Sequence, residues 1–99
     1  MAIKVFIKRR FKPGHLNEAS VLLNKIRYGA MSQRGYISSE TLSGHSDPNK
    51  IVVGSLWQEL IYWERWKNSE PRRSMEAEIE KLLDAPSEYE IYDLGMEST

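Results

Sequence analysis

Three tryptophans, Trp57, Trp63 and Trp66, stand close together in the stretch Ile51–Trp66 (IVVGSLWQELIYWERW). An indole offers a flat polarizable wall with one N–H donor, which suits it to holding a planar ring system. Trp66 is the first candidate for that use, with core packing as its alternative; Trp63, the second, and Trp57, at a strand end, read first as core packing. The imidazoles are His15, before a helix, and His45, in a turn. Neither has a partner at metal-ligand spacing, so no metal site is expected. His45 is the candidate general base, against the plainer role of a solvated turn residue. Tyr36, Tyr89 and Tyr92 can offer a hydroxyl to a substrate oxygen, with Tyr36 the candidate carried forward. Glu40 and Asp93 read as solvent-facing strand residues. Arg72 and Arg73 read as surface charges, with the docking of a carboxylate as their alternative role.

The composition narrows the classes. Fourteen basic and fourteen acidic side chains cancel in a chain of 99 residues, so no overall field draws it to nucleic acid or an anionic membrane. Cysteine is absent, which removes disulfides, thiolate catalysis and sulfur-based zinc sites and is compatible with a reducing cytoplasm, the expected location. The N-terminal MAIKVFIKRRF carries charges too closely for a signal peptide or a membrane span. Residues 1–99 read as one domain. There is no glycine-rich phosphate loop, nucleophile elbow or dinucleotide fingerprint, and no cofactor is expected.

The elements that must position these groups follow from periodicity. Ala2–Phe11 alternates Ile3, Val5 and Ile7 with Lys4, Phe6 and Lys8, the pattern of a strand with one buried face. The basic cluster Lys8, Arg9, Arg10 and Lys12 reads as its solvated end, with an anion or carboxylate dock as the alternative. Pro13-Gly14 breaks the strand. Leu16, Ala19, Leu22, Leu23, Ile26 and Ala30 then recur at helical spacing, and Gly35 is suited to ending that helix. Tyr36–Ser43 and Lys50–Trp57 read as a hairpin, with Gly54 marking a bulge or a close backbone contact. Gln58–Lys67 is helical. Asn68-Ser69-Glu70-Pro71 interrupts and restarts the helix, with Ser69 as cap. The restarted segment buries Met75, Ile79, Leu82 and Leu83 and places Glu76, Glu78, Glu80 and Lys81 outside. Glu88–Met96 reads as a last strand, with Tyr89 and Ile91 on one face and Tyr92, Leu94 and Met96 on the other.

The order is β-α-β-β-α-β, an α+β ferredoxin-like domain with a four-stranded antiparallel sheet and helices on one face. Strand Lys50–Trp57 has apolar residues at successive positions, so both of its faces need cover. Two helices cover one. A second copy of the chain, sheet against sheet, is the expected cover for the other, and a homodimer is the expected assembly.

With these elements placed, the chain resembles the antibiotic biosynthesis monooxygenase family. The resemblance runs through the KPG turn, GYISSETLSGHSDPNKIVVGSLWQ and WERWKNSEPRRS. It implies a dimeric α+β barrel. Family chemistry spans metal- and flavin-free oxygenation of hydroxyaromatics, haem opening, isomerisation and members without an assigned reaction. Trp66 falls where the haem-degrading branch has its haem-distorting tryptophan. Ile7 lies where that branch has an asparagine, and Glu76 where it has the histidine that ligates iron. Apolar and anionic groups there do not reproduce that site, so haem degradation is not expected.

The expectation is therefore a cofactor-independent monooxygenase, or a related small-molecule enzyme, for a planar electron-rich aromatic substrate. Trp66, Trp63, Ile7 and Glu76 are the expected substrate contacts. A non-catalytic ligand-binding or structural dimer is the alternative. RNA binding, the other use of such a sheet, is not expected, because KIVVGSLW lacks exposed aromatics and the net charge is zero.

Overall fold

A computed structural model describes residues 1–96. The domain reading extends to residue 99, and residues 97–99 lie outside the described part. The chain runs β1 (Ile3–Arg10), α1 (Leu16–Met31), β2 (Tyr36–Ser43), β3 (Lys50–Trp57), α2 (Leu60–Lys67), α3 (Glu70–Glu80) and β4 (Glu88–Asp93). The strands form one antiparallel sheet in the order β2-β3-β1-β4, which is the ferredoxin-like arrangement read from the sequence.

Alternation sets the two faces of the sheet. Ile3, Val5 and Ile7 of β1 pair with Trp57, Ser55 and Val53 of β3, and Ile3, Val5, Ile7 and Trp57 belong to the core. Trp57, Trp63, Phe11, Ile79 and Val5 are its largest fully buried side chains. Burying a large apolar side chain of this kind contributes about 1.5–3 kcal/mol. The opposite face carries Phe6, Val52, Leu56, Leu42 and Tyr92, with ion pairs Lys4–Glu40 and Lys8–Glu90, both at 2.9 Å. Among the described residues no helix covers that face.

Local signals place the helix boundaries. Gly35 follows α1 at φ 86°, a left-handed backbone that glycine adopts without a Cβ penalty. Ser69 caps α3 by accepting from the Arg72 N–H, and Pro71 sits in the first turn where its missing N–H costs nothing. The Asn68-Ser69 interruption thus produces two helices, α2 and α3. Leu82 and Leu83 are buried just beyond α3, and Leu83 forms an isolated bridge with Phe11.

Three readings are corrected. The strand expected over Glu88–Met96 stops at Asp93, and Leu94 and Met96 are exposed after it. Gly95, at φ 92°, marks the change of direction. The bulge lies in β2, between Tyr36 and Ser38, and not at Gly54. Gly54 instead marks close approach: a Cβ there would stand 2.9 Å from Glu40 Oε1 and 3.2 Å from the Phe6 ring. Finally, Glu76 and Arg72 are not on the outer face of α3, and Arg9 is not a solvated strand end. All three are buried, at 6%, 3% and 3% exposure.

Candidate functional site: a tryptophan-walled cavity lined by arginines

Between the inner sheet face and α1, α2 and α3 lies a cavity of about 40 Å³. Its aromatic wall is Trp57, Trp63, Trp66 and Tyr36. The sheet adds Ile7, Arg9, Ser39, Thr41, Val53 and Ser55, and the helices add Leu23, Ile26, Arg27, Ala30 and Arg72. The bulge in β2 matters here. By adding a residue after Tyr36 it brings Ser39 and Thr41 into register with the inward-facing Ser55 and Val53.

The aromatic rings are fixed by one another. Tyr36 meets Trp57 edge-on at 5.6 Å, Trp57 meets Trp63 at 6.0 Å, and Trp63 meets Tyr89 at 6.2 Å. Trp57 Nε1 donates to Ser55 Oγ at 3.0 Å, so its buried N–H is satisfied. Trp66, 3% exposed, reaches α1 at Gly29. A Cβ at that position would stand 2.6 Å from Trp66 Cη2, so the ring depends on the absence of a side chain there.

Behind the aromatic wall is a buried charge cluster. Arg9 Nη2 donates to Glu76 Oε2 at 2.6 Å, and Ser87 Oγ donates to Glu76 Oε1 at 3.0 Å. Arg72, one helical turn before Glu76, lies 3.6 Å from the same Oε2. Arg72 Nη2 also donates to the Tyr89 hydroxyl at 3.0 Å, and its guanidinium lies over the Trp63 ring, 5.3 Å from the centroid. The cluster ties β1, α3 and β4 together. Arg9 Nε is buried and finds no acceptor among the described residues.

Of the residues singled out from the sequence, Trp66, Trp63, Ile7 and Tyr36 are brought together on the cavity wall. Trp57 joins them while also serving the core. Glu76 is not on the wall. It sits behind, with both carboxylate oxygens engaged by Arg9 and Ser87. His45 is not brought to the cavity at all, because it is exposed in the turn between β2 and β3. The Tyr36 hydroxyl is 2.6 Å from Ser39 Oγ.

Arg9 and Arg72 were missed as wall residues, yet the signal was present. Arg9 continues the odd-numbered alternation of Ile3, Val5 and Ile7. Arg72 and Glu76 stand four residues apart on the stripe that leads to buried Ile79. Arg27, exposed on α1, also lines the cavity and had no such signal.

No family model and no curated protein matches the chain. Solved structures do. A conserved protein from Methanosarcina mazei Go1 superposes with a TM-score of 0.88 at 20% identity, covering 93% of this chain and 91% of its own. SnoaB, a cofactor-independent oxygenase from Streptomyces nogalater, superposes at 0.83 with 14% identity, covering 98% and 97%. A protein named antibiotic biosynthesis monooxygenase superposes at 0.86 with 13% identity, covering 95% and 99%. At these identities the likeness is one of architecture: the chain carries the ferredoxin-like α+β fold of the antibiotic biosynthesis monooxygenases.

Proposed function

We propose that the protein is a cofactor-independent monooxygenase acting on a planar, electron-rich hydroxyaromatic compound. The observation that supports this reading is the convergence of three indoles, the Tyr36 and Ser39 hydroxyls and two buried guanidiniums on one cavity. The similarity in fold to SnoaB points the same way.

The chemistry assigns each group a task. The indoles grip the ring and keep water from it. The Tyr36 and Ser39 hydroxyls are the neutral groups placed to hydrogen-bond the phenolic oxygen. Among the described residues no carboxylate or imidazole lines the wall, so proton loss is promoted by stabilising the phenolate: a cation within about 4–6 Å lowers the pKa of an acidic group by about 1–3 units. The electron-rich anion then reacts with dioxygen at a ring carbon. A C–O bond forms, the hydroperoxide takes a proton, and loss of water breaks the O–O and ring C–H bonds. One oxygen atom ends in the quinone and the other in water, with all electrons supplied by the substrate.

A space of about 40 Å³ holds a few water molecules, each needing about 10–15 Å³. Ring entry therefore requires side-chain movement. Leu23 and Arg27, one turn apart on α1 and both on the wall, are the pair whose displacement opens it. A homodimer that packs the uncovered sheet faces together completes this proposal, since Phe6, Val52 and Leu56 share that face with half-exposed Leu42 and Tyr92.

The lack of a carboxylate or imidazole on the wall favours the second reading, a non-catalytic small-ligand binder. Oxygen uptake with a panel of naphthohydroquinones and no added cofactor separates the two. Uptake above the autoxidation rate that falls at least tenfold in Trp66→Leu, as removal of a transition-state contact would give, supports the oxygenase. No uptake with any member, together with saturable quenching of tryptophan fluorescence, leaves the binder.

A further inference from the structure

We infer that the cavity is built to hold its substrate as an anion: a flat aromatic ring bearing an oxygen group that is ionised in the site. The inference rests on reading the cavity as a substrate site and adds the charge class of what enters it. Three arginines, Arg9, Arg27 and Arg72, line the wall, and among the described residues no aspartate or glutamate does. Glu76 stands behind as a single counter-charge for the two buried guanidiniums. One formal positive charge is thus left in a water-poor space, where an unbalanced ion is costly.

Arg9 Nε adds a second, independent observation. It is a charged donor in a side chain 1% exposed, with no acceptor among the described residues. Buried donors in folded proteins are nearly always paired, and an anionic ligand oxygen is an acceptor that would pair this one. Arg72 places its guanidinium over Trp63, 5.3 Å from the ring centroid, and 3.6 Å from the Glu76 carboxylate. A guanidinium in that setting can hydrogen-bond an anionic oxygen while the indole takes the attached ring. Arg27, exposed at the α1 side, supplies the charge that meets the ligand first.

The test is binding, read by quenching of tryptophan fluorescence, with three probes of one shape: 2-naphthoate, 2-naphthol and naphthalene. The three tryptophans of the chain all line the cavity and none lines the outer groove of Lys8, Arg9, Arg10, Lys50 and Glu88, so the signal reports the cavity. At neutral pH 2-naphthoate should bind at least about tenfold more tightly than the two neutral probes, as a charge-assisted hydrogen bond gives. If a phenolate is the natural group, 2-naphthol should tighten by about as much when the pH is raised until it ionises. Arg27→Met, a surface change that leaves the buried cluster intact, should weaken 2-naphthoate several-fold and flatten its salt dependence.

Equal affinities for the three probes at every pH would overturn the inference. So would 2-naphthoate binding that neither salt nor Arg27→Met moves. Charge-selective binding without oxygen uptake from any hydroquinone would keep the anion site and remove the oxygenase. Uptake with charge-blind binding would do the reverse.

Discussion

Arg9 of β1 and Glu76 of α3 are 67 residues apart in sequence and 2.6 Å apart in space, with side chains 1% and 9% exposed. The pair pins the face of α3 to the end of the central strand β1. It also holds the arginine side of the cavity in place, because Arg72 leans on the same carboxylate oxygen. Removing one partner strands the other as a buried charge, which typically costs about 3–5 kcal/mol. Arg9→Met and Glu76→Leu should each lower the urea unfolding free energy by about that amount. The double variant should lose less than the two singles together, by about 0.5–3 kcal/mol. Single variants within roughly 0.5 kcal/mol of the parent, the range of ordinary surface changes, would mean that the pair is not the tie described.

Gly29 and Trp66 give a second test. Alanine in a helix interior gains about 1 kcal/mol over glycine from propensity alone. At Gly29, however, its Cβ would stand 2.6 Å from Trp66 Cη2 and 3.2 Å from Cζ2, and overpacking of this kind costs about 1–3 kcal/mol. Gly29→Ala should therefore be net destabilising in thermal melts and should shift the tryptophan emission as the Trp66 ring is displaced. Trp66→Phe, with a shorter ring, should relieve most of the cost in the double variant. A more stable Gly29→Ala would show that Trp66 does not pack tightly on α1.

These two contacts also mark where the sequence was legible and where it was not. Alternation at Ile3, Val5 and Ile7, the helical spacing of Leu16 to Ala30, and the Ser69 restart are local, and they led to the element order and the topology. The Arg9 alternation was equally local, but burying a guanidinium is reasonable only once its counter-charge is known. That counter-charge comes from α3, after two more strands and two helices. Glu76 read as outward for the same reason, since a carboxylate on a helix faces water unless a distant cation claims it. The β2 bulge escaped notice because Tyr36–Ser43 is rich in Ser and Thr, which mark neither face strongly. Trp63 and Trp66 could be singled out by type and spacing; that Gly29 admits the Trp66 ring could not.

The ion pair between Lys8 and Glu90 predicts a pH dependence. The hydrogen bond to Glu90, and then its charge, hold the Lys8 ammonium above its ordinary pKa of 10.5. A group that binds its proton more tightly when folded adds stability that is fully present below the unfolded pKa and is lost as pH rises through the folded one. As the pH rises past 10.5, the parent should therefore lose more stability than Lys8→Met does. The difference is small, because the pair is solvent-exposed. Urea midpoints measured side by side check it, and a larger alkaline loss in Lys8→Met would contradict the sign.

The uncovered sheet face bears on assembly. Phe6, Val52 and Leu56 lie at its centre, Phe6 meets Tyr92 edge-on at 5.8 Å, and the Lys4–Glu40 and Lys8–Glu90 pairs share the face. Apolar residues among neutralised charges suit a self-complementary two-fold contact, in which the same patch serves both copies. Sedimentation at micromolar protein should give a species of twice the 11.5 kDa of one chain. Leu56→Lys places an ammonium in the middle of that contact, where an unpaired buried charge costs several kcal/mol, enough to shift micromolar protein to monomer. The lysine head reaches water freely in the monomer, so folding should survive, and circular dichroism of the variant should match the parent. A parent that sediments as a single chain would leave this face without its proposed partner. A Leu56→Lys protein that remains a dimer would move the contact to another surface.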